Sequence, residues 1–226
     1  MHPQSSFRFA ASERFQFETF ETGANAELLA RLQQIPERFT GTWLYGPNGR
    51  GKSHLLQAAC QFAVEQQQSA VYLPLRDVAD PQALSGLESL QLVVLDDLDV
   101  RLGDHEFERA LMALYTGLFE SGSALVVATG EVPAAVQPGL ADLASRLRAL
   151  ATFEVAALSD EDKAQVLTQR AARRGLPLSD ETLSYWLRRG PRDLRRLLED
   201  LDLLVDDALG EQSGVTIATV KRVLAL

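Results

Sequence analysis

Eight consecutive residues constrain this chain more than any others. Gly46-Pro47-Asn48-Gly49-Arg50-Gly51-Lys52-Ser53 satisfies G-x-x-x-x-G-K-[ST], the P-loop pattern, at every fixed position. Glycines let successive backbone N–H groups turn inward around phosphate oxygens. Lys52 can reach the β- and γ-phosphates, and the Ser53 hydroxyl can ligate Mg²⁺. The pattern needs a strand before it and a helix after it. Thr42-Trp43-Leu44-Tyr45 reads as a buried strand entering the loop, and Lys52 to Phe62 reads as a helix with Leu55, Leu56, Ala59, Cys60 and Phe62 at core spacing. Strand, glycine loop and helix N-terminus together make the anion site that a helix dipole favours.

The same alternation continues along the chain. Apolar, β-rich segments lie near 42–45, 70–75, 91–95, 124–129 and 152–155. They are apolar throughout, as strands covered on both faces are. Helical patterns occupy 52–66, 105–120 and 140–149, so strand and helix alternate and the sheet is expected to be parallel. After Leu158 no further strand is expected. Ser159-Asp160-Glu161-Asp162 has the form of a capping box opening a helix to about Arg173, which Gly175 and Pro177 end. Helices are expected near 179–189, 191–209 and 215–225. The predicted fold class is α/β, with a five-stranded parallel sheet followed by a small all-helical domain. The expected division is an N-terminal tail over 1–22, a nucleotide-binding core over 23–158 and the helical domain over 159–226. Within the first forty residues, an aromatic-rich entry from Phe7 to Phe20 precedes a helix near 24–35.

Composition narrows the class of partner. The chain has 226 residues, 46% of them hydrophobic and 23% charged, enough for a real core and too apolar for wholesale disorder. Its formal net charge of −9 makes it a poor general nucleic-acid binder, because phosphate neutralisation needs clustered Lys and Arg. Cys60 is the sole cysteine, so no internal disulfide forms, and its place in an apolar helix reads as a buried structural thiol. No apolar run spans a membrane, no signal-peptide order opens the chain, and His2, His54 and His105 have no zinc spacing. A cytoplasmic location is expected.

Three further segments carry candidate chemistry. Leu92-Val93-Val94-Leu95-Asp96-Asp97 is an apolar strand ending in two carboxylates, the Walker B arrangement. There Asp96 would hold Mg²⁺ through its water shell and Asp97 would polarise an attacking water. Thr129, at the end of Val126-Val127-Ala128-Thr129-Gly130, either sits between Asp96 and the γ-phosphate, with Glu131 behind it, or simply ends a strand. Arg146, in the helix Asp142-Leu143-Ala144-Ser145-Arg146-Leu147-Arg148, is a surface salt-bridge arginine or a group stabilising transition-state charge on a neighbouring subunit's nucleotide. Arg195, in Gly190-Pro191-Arg192-Asp193-Leu194-Arg195-Arg196-Leu197, belongs to a solvated basic face or folds back onto phosphates.

The order of these motifs resembles an AAA+ ATPase: P-loop, Walker B, sensor 1, arginine finger, then a helical lid with sensor 2. Pro47-Asn48-Gly49 through Lys52-Ser53-His54-Leu55-Leu56-Gln57-Ala58 is similar to the ATPase domain of the bacterial replication initiator DnaA. Thr129-Gly130-Glu131-Val132-Pro133, Asp142 to Leu147, and Leu158-Ser159-Asp160-Glu161-Asp162-Lys163 look closer to the Hda branch of the DnaA/Hda family, the regulatory inactivators of DnaA. The resemblance covers nearly the whole chain.

It implies an AAA+ core and a helical lid that take ADP or ATP with Mg²⁺. Pro47, Asn48, Gly49, Arg50, Gly51, Lys52, Ser53 and His54 would hold the nucleotide, with Thr129 as sensor 1, Arg195 as sensor 2 and Arg146 as the finger. The implied partners are DnaA and the DNA polymerase sliding clamp, and homodimers or higher self-association are admitted. Gln4-Ser5-Ser6-Phe7-Arg8-Phe9 resembles the Q-x-x-[LF]-x-F form of clamp-binding peptides. Gln4, Phe7 and Phe9 would then dock on the clamp, or else Phe7 and Phe9 form an edge strand or pack on the core with Phe15 and Phe17.

Against DnaA, the sequence ends just after the lid, so no helix-turn-helix domain and no sequence-specific DNA binding are expected. The segment between Leu75 and Gln91 is also short for the extra helix that initiators use on single-stranded DNA. Against Hda, Lys52 stands where some members have Arg, and Asp97 where some have Asn. The expected role is a regulator that promotes ATP hydrolysis by DnaA together with the clamp, with weak ATPase activity of its own. The alternatives are a self-standing AAA+ ATPase of the helicase-loader or remodeller type, and a scaffold that binds nucleotide only for stability.

Overall fold

The computed structural model describes residues 15–34, 38–211 and 214–226. The chain divides into two compact units between Val155 and Ala156. The first contains α1 (Ala26–Leu32), β1 (Thr40–Tyr45), α2 (Lys52–Glu65), β2 (Ala70–Pro74), β3 (Leu92–Asp96), α3 (His105–Ser121), β4 (Ala124–Thr129), α4 (Ala141–Arg148) and β5 (Ala151–Glu154). The five strands form one sheet in the order β2-β3-β4-β1-β5, and every pairing is parallel.

Strand alternation sorts the apolar residues into two cores. Leu44, Leu92, Val94, Ala124, Val126 and Ala128 pack with Leu55, Leu56 and Ala59 of α2. Trp43, Val93, Leu95, Leu125 and Val127 pack on the other side with α3 and α4. A sheet apolar on both faces needs helices on both faces, and this sequence supplies them. The central strands β3 and β4 are buried along their whole length. The edge strand β5 departs from the expectation of two covered faces, since Ala151, Thr152 and Glu154 are exposed. Among the described residues it pairs with β1 alone, so one of its edges has no neighbouring strand there.

Local signals place the helix ends. Asp104 caps α3 by accepting from the N–H groups of Glu106 at 3.0 Å and Phe107 at 3.3 Å, and Gly122 ends it at φ 73°, a conformation glycine adopts without penalty. Phe107, Leu111, Leu114, Tyr115 and Leu118 form its buried stripe. Between β2 and β3 the chain makes three short 3-10 turns, at Leu75–Asp77, Pro81–Leu84 and Leu87–Ser89, which no periodicity announces.

Part of the expected tail over 1–22 packs on the core. Phe17 is buried against α2 and Phe62, because its ring completes the apolar surface that α2 leaves on its outer side. The candidate clamp peptide Gln4, Phe7 and Phe9 lies outside the described residues.

The second unit is all-helical: α5 (Asp160–Arg173), α6 (Asp180–Arg189), α7 (Leu194–Glu211) and α8 (Ile217–Leu224). Ser159 and Asp162 form the expected capping box, and Ser179 and Thr216 cap α6 and α8. Trp186 is fully buried at the centre of a cluster with Leu167, Leu197, Leu201 and Leu204. Among the described residues no helix is long and apolar enough to cross a membrane.

Candidate functional site

Parallel strands bring their C-terminal ends to one edge, where ligands of open α/β sheets bind. Here that edge carries Gly46 after β1, Asp96 at the end of β3 and Thr129 at the end of β4, on three adjacent strands. The P-loop turns through residues with positive φ. Gly49 lies at 82° and Gly51 at 91°, where a Cβ would be strained. At Gly51 a Cβ would also stand 2.7 Å from Phe20 Cε2.

Lys52 is only 6% exposed. Its ammonium donates to Gly46 O at 2.6 Å and Pro47 O at 3.1 Å, which folds the side chain back over its own loop. Burial lowers its pKa from the ordinary 10.5, and the charges of Asp96, Asp97 and Asp99 oppose that shift. Burial disfavours the charged ammonium, and an anion bound beside it would favour that form. Ser53 is exposed at the start of α2.

Asp96 is 1% exposed, and each of its oxygens accepts a hydrogen bond. Oδ1 accepts the N–H of Asp97 at 3.0 Å, and Oδ2 accepts the hydroxyl of Tyr72 at 2.8 Å. Burial, then the Asp96 charge, push the Tyr72 phenol upward, so it remains a donor. Asp97 adopts a left-handed turn at φ 53°, which aspartate tolerates, and its carboxylate pairs with Arg76. Asp99 closes the neighbouring loop by accepting the N–H of Gly130 at 3.1 Å.

Thr129 and Asp96 end adjacent strands on opposite faces of the sheet. Alternation along β4 turns Thr129 toward the face of Leu125 and Val127, opposite the face shared by Asp96 and α2. There its hydroxyl accepts from Trp43 Nε1 at 2.8 Å and donates its one proton to Glu131 O at 2.8 Å. His54 lies at the head of α2, against Gln16 O at 3.0 Å and Thr19 Oγ1 at 3.3 Å, with the Phe15 and Phe20 rings edge-on to it. It anchors the entry segment to the P-loop helix. Pro47, Asn48 and Gly49 are exposed, and Arg50 is half-buried.

Arg146 is half-buried, its guanidinium carbon 5.4 Å from the centre of the Tyr115 ring. In the second unit, Arg195 is a solvated side chain 3.9 Å from Glu199, one turn along α7.

Sequence reading missed Tyr72, Arg76, Asp99 and Glu108. For Tyr72, Arg76 and Asp99 no signal existed, because their partners arrive through tertiary contact. Glu108 did leave one. It shares a helical stripe with Leu111, Tyr115 and Leu118, an acid in a row of core positions. It is 0% exposed, and its carboxylate accepts three backbone N–H bonds, from Gly103 at 2.8 Å, Gly139 at 2.7 Å and Leu140 at 2.8 Å. Burial opposes its ionisation, yet those three bonds hold its pKa below the ordinary 4.5.

Parallel sheet, P-loop, paired strand-end carboxylates and a following helical unit define a P-loop AAA+ ATPase fold with a lid. The family model described as the bacterial DnaA ATPase domain matches residues 11–154, and that of the Hda lid domain matches residues 160–224. The chain belongs to the DnaA/Hda family of AAA+ proteins. Solved structures with the same fold include domain III of the replication initiation protein DnaA from Thermotoga maritima. It shares 19% identity at a TM-score of 0.77, over 95% of this chain and 97% of that one. A replication initiator DnaA bound to AMPPCP and single-stranded DNA matches at 18% identity and TM-score 0.76, over 89% of this chain and 69% of that one. The Holliday junction branch migration motor RuvB of Thermotoga maritima matches at 14% identity and TM-score 0.71, over 93% and 71%.

Proposed function

We propose that this protein is a nucleotide-binding regulator of replication initiation that promotes ATP hydrolysis by DnaA in concert with the sliding clamp. The observation that carries the reading is the succession, on one chain, of a DnaA-type ATPase core and an Hda-type lid. The P-loop residues Pro47 to His54 form the nucleotide site, and the protein takes ADP or ATP there. The buried ammonium of Lys52 and the glycine turns at Gly49 and Gly51 fit a polyphosphate. Among the described residues no three His, Cys, Asp or Glu side chains gather as a metal cage. That suits Mg²⁺, which typically takes one or two protein oxygens and completes its shell with phosphate and water. Ser53 would ligate the ion and Asp96 would hold it through its water shell, and the ion would neutralise phosphate charge. Arg195, in the lid, is assigned as sensor 2. Gln4, Phe7 and Phe9 supply the clamp peptide.

Arg146 is the group offered to the ATP of DnaA. A guanidinium delivered from outside stabilises charge on the transferring phosphoryl group, an effect on the order of 10³-fold or more. A second reading, a self-standing ATPase, draws on the complete set of Lys52, Asp96 and Asp97. One experiment separates the two: ATP hydrolysis by this protein alone, by DnaA alone, and by both on clamp-loaded DNA. The regulatory reading expects hydrolysis to rise only in the combined reaction, and to fall back on Arg146→Ala. Rapid turnover by this protein alone, unchanged by DnaA, would select the second.

A further inference from the structure

We propose that Glu108 and Tyr115 are positioning residues that hold Arg146 ready for its target; the proposal rests on the finger reading of Arg146. Both lie on α3, about two helical turns apart and on the same stripe. Arg146 lies on α4. The two α3 side chains grip opposite ends of that shorter helix.

The first grip is at the start of α4. Its N-cap residue is Leu140, whose side chain makes no capping bond. Glu108 supplies from α3 an acceptor for the backbone N–H of that N-cap residue and of the residue before it. Its Oε2 takes the N–H of Leu140 and its Oε1 takes that of Gly139. A negative group is favourable at this end of a helix. The same Oε1 accepts the N–H of Gly103, in the loop that follows Asp96 and Asp97. One buried carboxylate therefore fixes both the loop after the acid pair and the loop that launches α4. An ionised side chain with no exposed surface is a costly way to fill a core position, and an apolar residue would fill the volume more cheaply. What it adds is direction, because three donors converge on two oxygens. Gly139 belongs to the same fit, since a Cβ there would stand 3.2 Å from Glu108 Oε2.

The second grip is at the end of α4. The Arg146 guanidinium lies over the Tyr115 ring. That ring is only 6% exposed and cannot swing. Phe39 packs edge-on to it at 5.1 Å, and Phe119 stacks on it at 6.5 Å. Arg146 is absent from the ion pairs found among the described residues, while Arg76, Arg174, Arg192 and Arg222 each hold a carboxylate. An aromatic face restrains a guanidinium without neutralising it, which leaves its full charge and its planar donors for an anion. Restraint before contact limits the entropy lost on reaching the target.

The test measures DnaA-dependent ATP hydrolysis on clamp-loaded DNA, titrating this protein to saturation. Tyr115→Leu removes the aromatic face, and Tyr115→Phe keeps it. Misplacing a catalytic group costs on the order of 10²-fold. Tyr115→Leu and Glu108→Gln should lower the maximal stimulated rate on that scale. The concentration for half-maximal stimulation, and nucleotide binding by the chain itself, should stay as in wild type. Tyr115→Phe should restore the rate. Combining Tyr115→Leu with Arg146→Ala should give no loss beyond Arg146→Ala alone, since the two act through one group. If Glu108→Gln does not fold, Gly139→Ala crowds the same carboxylate and replaces it. Losses that multiply in the double variant, or a wild-type rate for Tyr115→Leu while Arg146→Ala is inactive, would reject the positioning role and leave the finger standing. A wild-type rate for Arg146→Ala would remove both.

Discussion

The two units of this chain handle charge in opposite ways. In the α/β core three ionised groups lie inside: Lys52, Asp96 and Glu108 are at most 6% exposed, and each is held by backbone or hydroxyl groups rather than by a contact ion pair. In the lid one ammonium, Lys163, is buried beside Asp160, and the other pairs face water. Arg192 with Asp160, Arg174 with Asp202, and Arg222 with Asp207 all join side chains at the surface. The lid interior is apolar around Trp186, and two of its buried polar residues, Thr182 and Thr219, pair with the helix caps Ser179 and Thr216. Buried charge is poorly screened and holds its direction, whereas surface pairs contribute little and are weakened by salt. The core is therefore built to act on a ligand, and the lid is built first to fold.

The contrast breaks most readily at Lys52. Lys52→Ala should abolish nucleotide binding in titration calorimetry, the largest effect expected here. Wild-type affinity in that variant would mean that burial of the ammonium serves only the loop. Glu108 comes next. Glu108→Gln retains one acceptor oxygen but turns an amide donor toward a backbone N–H. The loss should be about 3 kcal/mol of unfolding free energy at neutral pH. The pH dependence sharpens it. Folding holds this carboxyl below 4.5, so as pH falls the unfolded chain takes up the proton first. The contribution is complete above that value and is lost as pH drops through the folded-state pKa. Denaturant melts of wild type and variant should therefore differ most at neutral pH and converge on acidification. A constant difference would assign the loss to packing.

Motif residues were legible where local sequence alone dictates geometry. The P-loop, the Asp96-Asp97 strand end, the capping box at Ser159 and all five strands follow from periodicity and turn chemistry. Three things were not. Strand parity at Thr129 depends on which face each helix covers, and that was not read from the sequence. The Arg76–Asp97 pair joins the chain after β2 to the end of β3 and needs the sheet order first. The turns between Leu75 and Ser89 are too short to carry a period. In the lid, Arg195 is one of several exposed arginines, and only family resemblance selects it.

Packing gives the third test, on the lid. Gly190 has φ −78°, so its backbone suits any residue, but a Cβ there would lie 2.9 Å from both Trp186 O and Trp186 Cδ1. The backbone oxygen cannot rotate away. Gly190→Ala should cost about 2 kcal/mol by overpacking. Amide exchange should rise in α6 and α7, while β3 and β4 keep their protection. Loss of protection in the central strands as well would mean that the units unfold as one.

The smallest expected effect is the most discriminating for the lid. Arg195 is 80% exposed in its side chain and sits at 3.9 Å from Glu199, at the limit of a contact. An exposed helical pair of this kind is worth about 0.3–0.5 kcal/mol and is screened by salt. Arg195→Ala should therefore leave the melting temperature almost unchanged. If the residue is only part of a solvated face, nucleotide affinity should be unchanged too. If it reaches phosphate as sensor 2, affinity should fall although stability does not, and it should fall more than in Arg196→Ala, a neighbouring control of the same charge. That split, binding lost with folding intact, is what the buried lysine of the core is expected to show. Finding it at a solvated arginine would give the lid a part in the site and narrow the contrast between the two units. Equal affinity in both arginine variants and wild type would keep the lid's charges to its surface.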